Sequence, residues 1–317
     1  MKQQLHMQTR DWLLLLLLGM IWGGSFYFAK IALSEIPPLT LVLLRVVIAA
    51  AALAIIIKAS GDRLPGGRRL WLTFAAMGLL NNLIPFTLLF WGQTHIGAGL
   101  ASIFNAMTPL FTVLVAHAAT RDEKLNSGKV LGVLLGLTGV ATIIGIDASN
   151  GANTITMLAM LACVGAAGSY ALASVYGRRF GATDIAPVQV AFGQLAATSV
   201  MMFPIALITE RPWSLPVPSL GSWGALLSLA LVCTAFAYLL FFRILQRGGA
   251  TNISLVTFII PVSAILLSSL LLGEQLGVNH LIGVSLILAG LAALDGRFRK
   301  RPNVVKKAEV ISCQHRP

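Results

Sequence analysis

The fold class this sequence predicts is an all-α integral membrane protein, with ten transmembrane helices forming two inverted five-helix repeats. Three observations predict it: a composition suited to lipid, ten apolar windows of bilayer length, and a stretch of sequence that occurs twice. Of 317 residues, 57% are hydrophobic and 11% are charged, with a mean hydropathy of +0.84. Soluble domains carry about 25% charged residues. A bilayer core about 30 Å thick takes about 20 apolar residues per helix. Such windows fall at roughly 12–33, 38–58, 70–94, 98–119, 128–147, 154–176, 187–208, 221–243, 250–272 and 278–296. The connections between them are mostly short, which leaves no room for a soluble domain.

Lys2 and Arg10 precede the leucines Leu13 to Leu18, as they would in a secretory signal. The apolar stretch outruns the ~15 residues of such a signal, however, and no small-x-small site closes it. The first window is therefore read as a retained helix.

The net charge of +12 is distributed by topology. With a cytoplasmic N-terminus and ten alternating spans, twenty Lys and Arg residues fall on the cytoplasmic side and one, Arg211, on the outside. Lys30 and Arg45 lie within spans. The positive-inside rule selects this orientation, with both termini cytoplasmic. The basic surplus then implies no nucleic-acid partner. Much of it sits in the tail "GRFRKRPNVVKK", residues 296–307. That tail reads either as a topology determinant near anionic lipid or as a segment that binds a partner.

Cys163, Cys233 and Cys313 show no CxxC or Cys/His spacing, so neither a metal site nor a disulfide framework is expected. No cofactor is expected either. Motifs such as HExxH and GxSxG are missing, which argues against an enzyme.

The repeat becomes visible when "LASIFNAMTPLFTVLVAHAATRDEKLNSGKVLGVLLGLTG" is laid on "NISLVTFIIPVSAILLSSLLLGEQLGVNHLIGVSLILAG". Ser102, Asn105 and Pro109 fall on Ser254, Thr257 and Pro261. After a one-residue gap, Glu123, Leu125, Gly132 and Gly139 fall on Glu274, Leu276, Gly283 and Gly290. Upstream, Asn82, Phe86 and Phe90 fall on Thr234, Tyr238 and Phe242. Each half holds five spans, an odd number, so the second copy enters the membrane from the opposite side. Inverted repeats of this kind build carriers that open alternately to either face around a central site. The expected organisation is a first repeat over 1–147, a second over 148–296 and a basic cytoplasmic tail over 297–317.

Several stretches together resemble the EamA family of the drug/metabolite transporter superfamily. They are "WGGSFYFAK" at 22–30, the Pro-Pro pair followed by Arg45 in "LVLLRVVIAAAAL", and "AYLLFFRILQRGGATNISLVTFIIPVSAILLSSLLLGEQL". The paired Glu-Lys-Leu and Glu-Gln-Leu turns complete the set. The resemblance covers residues 12–295. It implies a ten-helix carrier in the bacterial inner membrane that exports amino acids or related small metabolites, with a small-molecule substrate and the lipid bilayer as its partners.

Trp22, Phe26 and Lys30 recur every fourth residue, along one helical stripe. Trp22 and Phe26 are candidates for a cavity wall, and the resemblance places the first helix of each repeat beside the cavity. Gly23 and Gly24 admit either a flexing helix or a close neighbour. Lys30 reads as snorkelling to headgroups or pairing with Glu35. Arg45 lies about 10 Å into its span by helical rise. A cation at that depth must face protein or water, as a clamp on carbonyls and helix ends or as a contact for an anion.

Ser102, Asn105 and Pro109 share one helical face, as do Ser254, Thr257 and Pro261. Prolines that kink corresponding helices point to a binding site in carriers. Asn81, Asn82, Pro85 and Phe86 in the third span, with Thr234 and Tyr238 in the eighth, extend the candidate lining. Phe258 completes it, with Tyr170 in the sixth span and Gln194 in the seventh as weaker candidates. Interhelical hydrogen bonding is the competing reading for the polar members.

Pro85, Pro109 and Pro261 are read as structural or gating positions, and Glu123 and Glu274 as caps at equivalent turns. The glycine faces "GVLLGLTG" and "GVSLILAG" suit close packing, or the contact of a weak homodimer; a monomer or such a dimer is expected. No Asp or Glu lies deep in a span, and His117 sits near a helix end. That argues for exchange or facilitated transport without obligatory proton coupling.

Overall fold

The computed structural model describes residues 8–120, 125–183 and 185–295. Glu123 and the tail over 297–317 lie outside these residues. Every regular element among the described residues is a helix. Eight are long and apolar enough to cross a membrane: α1 (Thr9–Ala32), α2 (Pro38–Ala59), α3 (Arg68–His95), α4 (Ala98–Ala119), α5 (Ser127–Ser149), α6 (Thr154–Gly181), α7 (Pro187–Glu210) and α8 (Leu220–Leu245). Two further apolar helices are shorter, α9 (Val256–Leu272) and α10 (Val278–Asp295). The helices are apolar nearly all round, as expected where lipid rather than water covers the outside. Leu13, Ile55, Val200 and Leu270 are 62%, 68%, 73% and 78% exposed. A soluble protein does not carry such a belt of bare aliphatic side chains.

Small residues set how the helices pair. Gly132 and Gly139 of α5 face Gly290 and Gly283 of α10. A Cβ on Gly132 or Gly290 would lie 2.6 Å from the other's carbonyl oxygen. These faces thus meet within one chain, and a side chain at either position would force the helices apart. On α1, a Cβ at Gly23 would overlap the Ser263 hydroxyl and sit 2.8 Å from the Ile260 carbonyl. That hydroxyl also lies 3.0 Å from the Gly19 carbonyl, joining α1 to α9. Gly23 is a packing position, while Gly24 looks toward Leu267 and Phe28 at ordinary contact distance.

The main pairings are α5 with α10, α2 with α7, α1 with α9, α4 with α6, α3 with α6, and α1 with α8. Exchanging each helix for the one five places along the chain maps this set onto itself.

Among the described residues, three helices depart from regular α geometry near the middle of the bundle. α3 passes through a π-helical turn at Leu79–Leu83, just before Pro85. α8 does so at Ser228–Phe236. α4 ends one helical segment at Asn105 and begins another at Thr108, with Pro109 in its first turn. Pro109 has no N–H to bond the Asn105 carbonyl, and the Thr108 hydroxyl donates to that oxygen instead, at 2.8 Å. Ser102, Asn105 and Pro109 therefore do not share one unbroken helical face. In α9 the corresponding Pro261 lies inside a continuous helix.

Candidate functional site

The π turns determine which side chains reach the centre. In α3 the Ile84 amide bonds back five residues, to the Leu79 carbonyl. In α8 the Thr234 hydroxyl donates to the Leu229 carbonyl, also five residues back, at 2.8 Å. Wide turns of this kind mark functional sites in many helices. Here they turn Asn81 toward the centre and Asn82 toward α7. The Asn81 amide donates to Gln194 Oε1 at 3.0 Å and to the Tyr238 hydroxyl at 3.1 Å. The Asn82 amide donates to the Thr198 hydroxyl at 3.3 Å. Across the bundle, Arg45 Nε donates to Thr234 Oγ1 at 2.9 Å. The Arg45 guanidinium lies 3.9 Å over the Phe86 ring and 5.6 Å from the Phe90 ring.

All of these side chains except Asn82 and Thr198 border a cavity of about 610 Å³. Its walls are largely apolar and aromatic. Phe86 and Phe90 stack at 6.2 Å, and Tyr238 and Phe242 stack at 6.2 Å. These are the same two positions of the two repeats. Trp22 closes one side against Phe241, with ring centroids 5.6 Å apart. Arg45 and Arg178 are the charged side chains among the described lining residues, and none of that lining is acidic.

The two ends of the cavity differ. One reaches the surface beside Arg178 and Gly181, which are exposed. The other stops at Gln93, which is buried and donates to the Phe26 carbonyl at 3.0 Å. Beyond Gln93, carboxylates cap the first turns of helices from the opposite half. Glu274 accepts from the Ala98 and Gly99 amides at 2.8 and 3.0 Å. Glu210 accepts from the Leu39 amide at 2.9 Å, and from the Thr40 amide and hydroxyl at 2.6 and 2.7 Å. Glu35 accepts from the Ser219 amide at 2.6 Å. That amide and the nearby serine hydroxyls hold the Glu35 carboxyl below its ordinary range. Anionic oxygens suit the orphan amides and positive dipole of a helix start. Lys30 Nζ donates to the Gln93 and Ile96 carbonyls at 2.6 and 2.8 Å, the complementary arrangement at the end of α3.

Of the predicted binding residues, Trp22, Phe26, Asn81, Phe86, Asn105, Tyr170, Thr234, Tyr238 and Thr257 border this cavity, and Arg45 joins them. Asn82, Ser102 and Phe258 do not. Asn82 is spent on α7, and Ser102 is fully buried, donating to the Gly99 carbonyl at 2.6 Å. Lys30 does not pair with Glu35; it serves carbonyls instead. Glu274 caps a helix, while its counterpart Glu123 lies outside the described residues. Pro85, Pro109 and Pro261 shape helices without bordering the cavity.

Glu210 and Asp11 escaped the sequence reading, and Gln194 entered it only as a weaker candidate. Gln194 holds Asn81, and it follows Pro187 by seven residues, as Arg45 follows Pro38. That shared spacing was the available signal. Glu210 gave none, because its partners are backbone amides 170 residues away. Asp11, at the start of α1, is 4% exposed, lies 3.8 Å from Arg247, and has one oxygen without a hydrogen-bond partner.

The EamA-like transporter family matches residues 11–145 and 157–294, one copy in each half. A protein described as a probable amino-acid metabolite efflux pump of Escherichia coli (strain K12) is 27% identical over 295 residues, covering 90% of this chain and 94% of that protein. An uncharacterized transporter of Bacillus subtilis (strain 168) is 28% identical over 296 residues, covering 92% and 93%. A solved crystal structure superposes with a TM-score of 0.64 at 21% identity, covering 90% of this chain and 98% of the other, a likeness of fold.

Proposed function

Because the chain belongs to the EamA-like transporter family, we propose that it exports amino acids or related zwitterionic metabolites by alternating access. In this reading α1–α5 and α6–α10 are inverted repeats, all ten helices span the inner membrane, and both termini are cytoplasmic. The observation that carries the reading is a cavity between the halves with one end open and the other closed by caps running from half to half. The self-mapping helix pairings and the matched π turns support the repeat. The charge asymmetry supports the orientation, in which the open end is cytoplasmic.

Transport then proceeds as follows. Substrate enters beside Arg178 and settles among the aromatic walls and the Asn81–Tyr238 network. The halves rock, the caps at the far end part, and the cytoplasmic end closes. Each cap joins the halves directly, so the seal breaks when they move apart. The description of the Escherichia coli relative supports an amino-acid metabolite as cargo.

Counterflow of labelled amino acids into proteoliposomes tests the proposal. Saturable exchange is expected, weakened by Trp22→Ala and by Asn105→Ala. Folded protein that exchanges no amino acid would refute it. A pH gradient that drives substrate uphill would refute the exchange mechanism alone.

A further inference from the structure

The cavity takes lining residues from matched positions of the two halves, but their charges do not match. Arg45 of α2 and Gln194 of α7 occupy equivalent places, so the buried cation comes from one repeat only. Arg45 is 7% exposed and stays ionised. One edge of its guanidinium is fixed, since Nε donates to Thr234 and the plane rests on Phe86. Its two terminal nitrogens donate to no acceptor among the described residues, and the side chain borders the cavity. A clamp on carbonyls or helix ends would use those nitrogens, so the geometry does not fit a purely structural role. A planar guanidinium presented in this way matches a carboxylate with two parallel hydrogen bonds.

A second observation lies in the wall of the same cavity. Asn105, at the break in α4, has a buried Oδ1 with no hydrogen-bond partner. Such an oxygen is costly unless a donor reaches it. A substrate N–H would do so.

We propose that Arg45 determines specificity by binding the carboxylate of the substrate, while Asn105 accepts a hydrogen bond from the substrate's nitrogen as a weaker, neutral contact. This rests on the transport reading above. The favoured class is apolar or aromatic amino acids. A carboxylate lacking the amine is the next best ligand, and an amine lacking the carboxylate is excluded, because it would set a cation beside Arg45 with no acid to receive it.

The test uses the full chain in detergent and in proteoliposomes, with phenylalanine, 3-phenylpropionate and phenethylamine as probes matched to the aromatic walls. Binding is read as thermal stabilisation and transport as counterflow of labelled phenylalanine. On the unmodified protein, 3-phenylpropionate should stabilise and compete, and phenethylamine should do neither. Arg45→Gln should weaken both carboxylates roughly 10- to 100-fold while leaving phenethylamine unchanged or improved. A merely structural loss would not produce that opposite response. If Arg45→Gln does not fold, the ranking on the unmodified protein and on Arg45→Lys decides. Phenethylamine binding as well as 3-phenylpropionate, or equal weakening of all three probes by Arg45→Gln, would overturn the assignment and leave the carrier standing. The expected ranking in binding without counterflow would sink the carrier and leave the assignment. No binding by any probe and no counterflow would overturn both.

Discussion

At the end of the cavity where α2, α4 and α8 begin, three carboxylates accept six hydrogen bonds from the opposite half, all between 2.6 and 3.0 Å. At the other end, described residues of the two halves meet through aromatic packing. Phe74 of α3 stacks on Phe180 at 5.7 Å, and Trp71 meets Phe192 edge-on at 6.3 Å. Polar links described there include Gln189, which donates to the Arg63 carbonyl at 2.9 Å, and Asp11 and Arg247, which approach to 3.8 Å. Short charge-assisted bonds to helix starts tolerate little displacement. Aromatic faces can slide while staying in contact, because dispersion attraction is spread over many atom pairs and lacks direction. In the proposed cycle the first end holds or releases, and the second slips.

The most damaging way to break this contrast is to remove two caps together, with Glu210→Ala and Glu274→Ala. Each cap is worth about 1–2 kcal/mol, so the sealed end should open. A cysteine replacing Phe26, in protein lacking the native cysteines, should then react with an impermeant maleimide from that side. Unchanged reactivity would show that packing alone closes it. Next comes Lys30→Met, which strips a donor from the Gln93 and Ile96 carbonyls. Leaving them unsatisfied should cost about 1–3 kcal/mol, read as a lower melting temperature in detergent.

At the open end, Arg247→Ala should cost at most about 1 kcal/mol, because the arginine is half exposed and the pair is long. Equal losses at the two ends would dissolve the comparison. The smallest effect is the pH dependence from Glu35, which is open to solvent. Its carboxyl is held below the ordinary value of 4.5 when it caps Ser219. Its contribution is therefore complete above that value and fades as pH falls through the lowered one. Accessibility of the sealed end should rise slightly in acid, and Glu35→Gln should remove that component.

Much of the membrane character was legible because it depends on composition and length alone. The apolar windows agree with the helices to within a few residues at most ends, since a run of leucine or valine has the same consequence wherever it sits in a bundle. The matched positions Phe86/Phe90 and Tyr238/Phe242 were also legible, and they form matching stacked pairs. Ser102 and Asn82 were candidates as polar groups within spans, and the competing reading, hydrogen bonding within and between helices, is the one that holds for them: Ser102 donates to the Gly99 carbonyl and Asn82 to the Thr198 hydroxyl. Lys30 was misassigned because its acceptors are main-chain carbonyls, which carry no residue-specific signal.

By itself, then, the sequence determined that this chain lies in a membrane, that its halves repeat one unit, and that a single arginine would be buried in its second helix. Those properties follow from side-chain transfer energies and from spacing along one dimension. Only the tertiary structure decided that Arg45 presents its free edge to a cavity, that Gln194 answers it from the other half, and that one end is sealed by carboxylates on distant helix starts. Each of these joins residues from separate helices, several of them through backbone amides that every amino acid but proline possesses. Contacts of that kind exist only once the helices have packed.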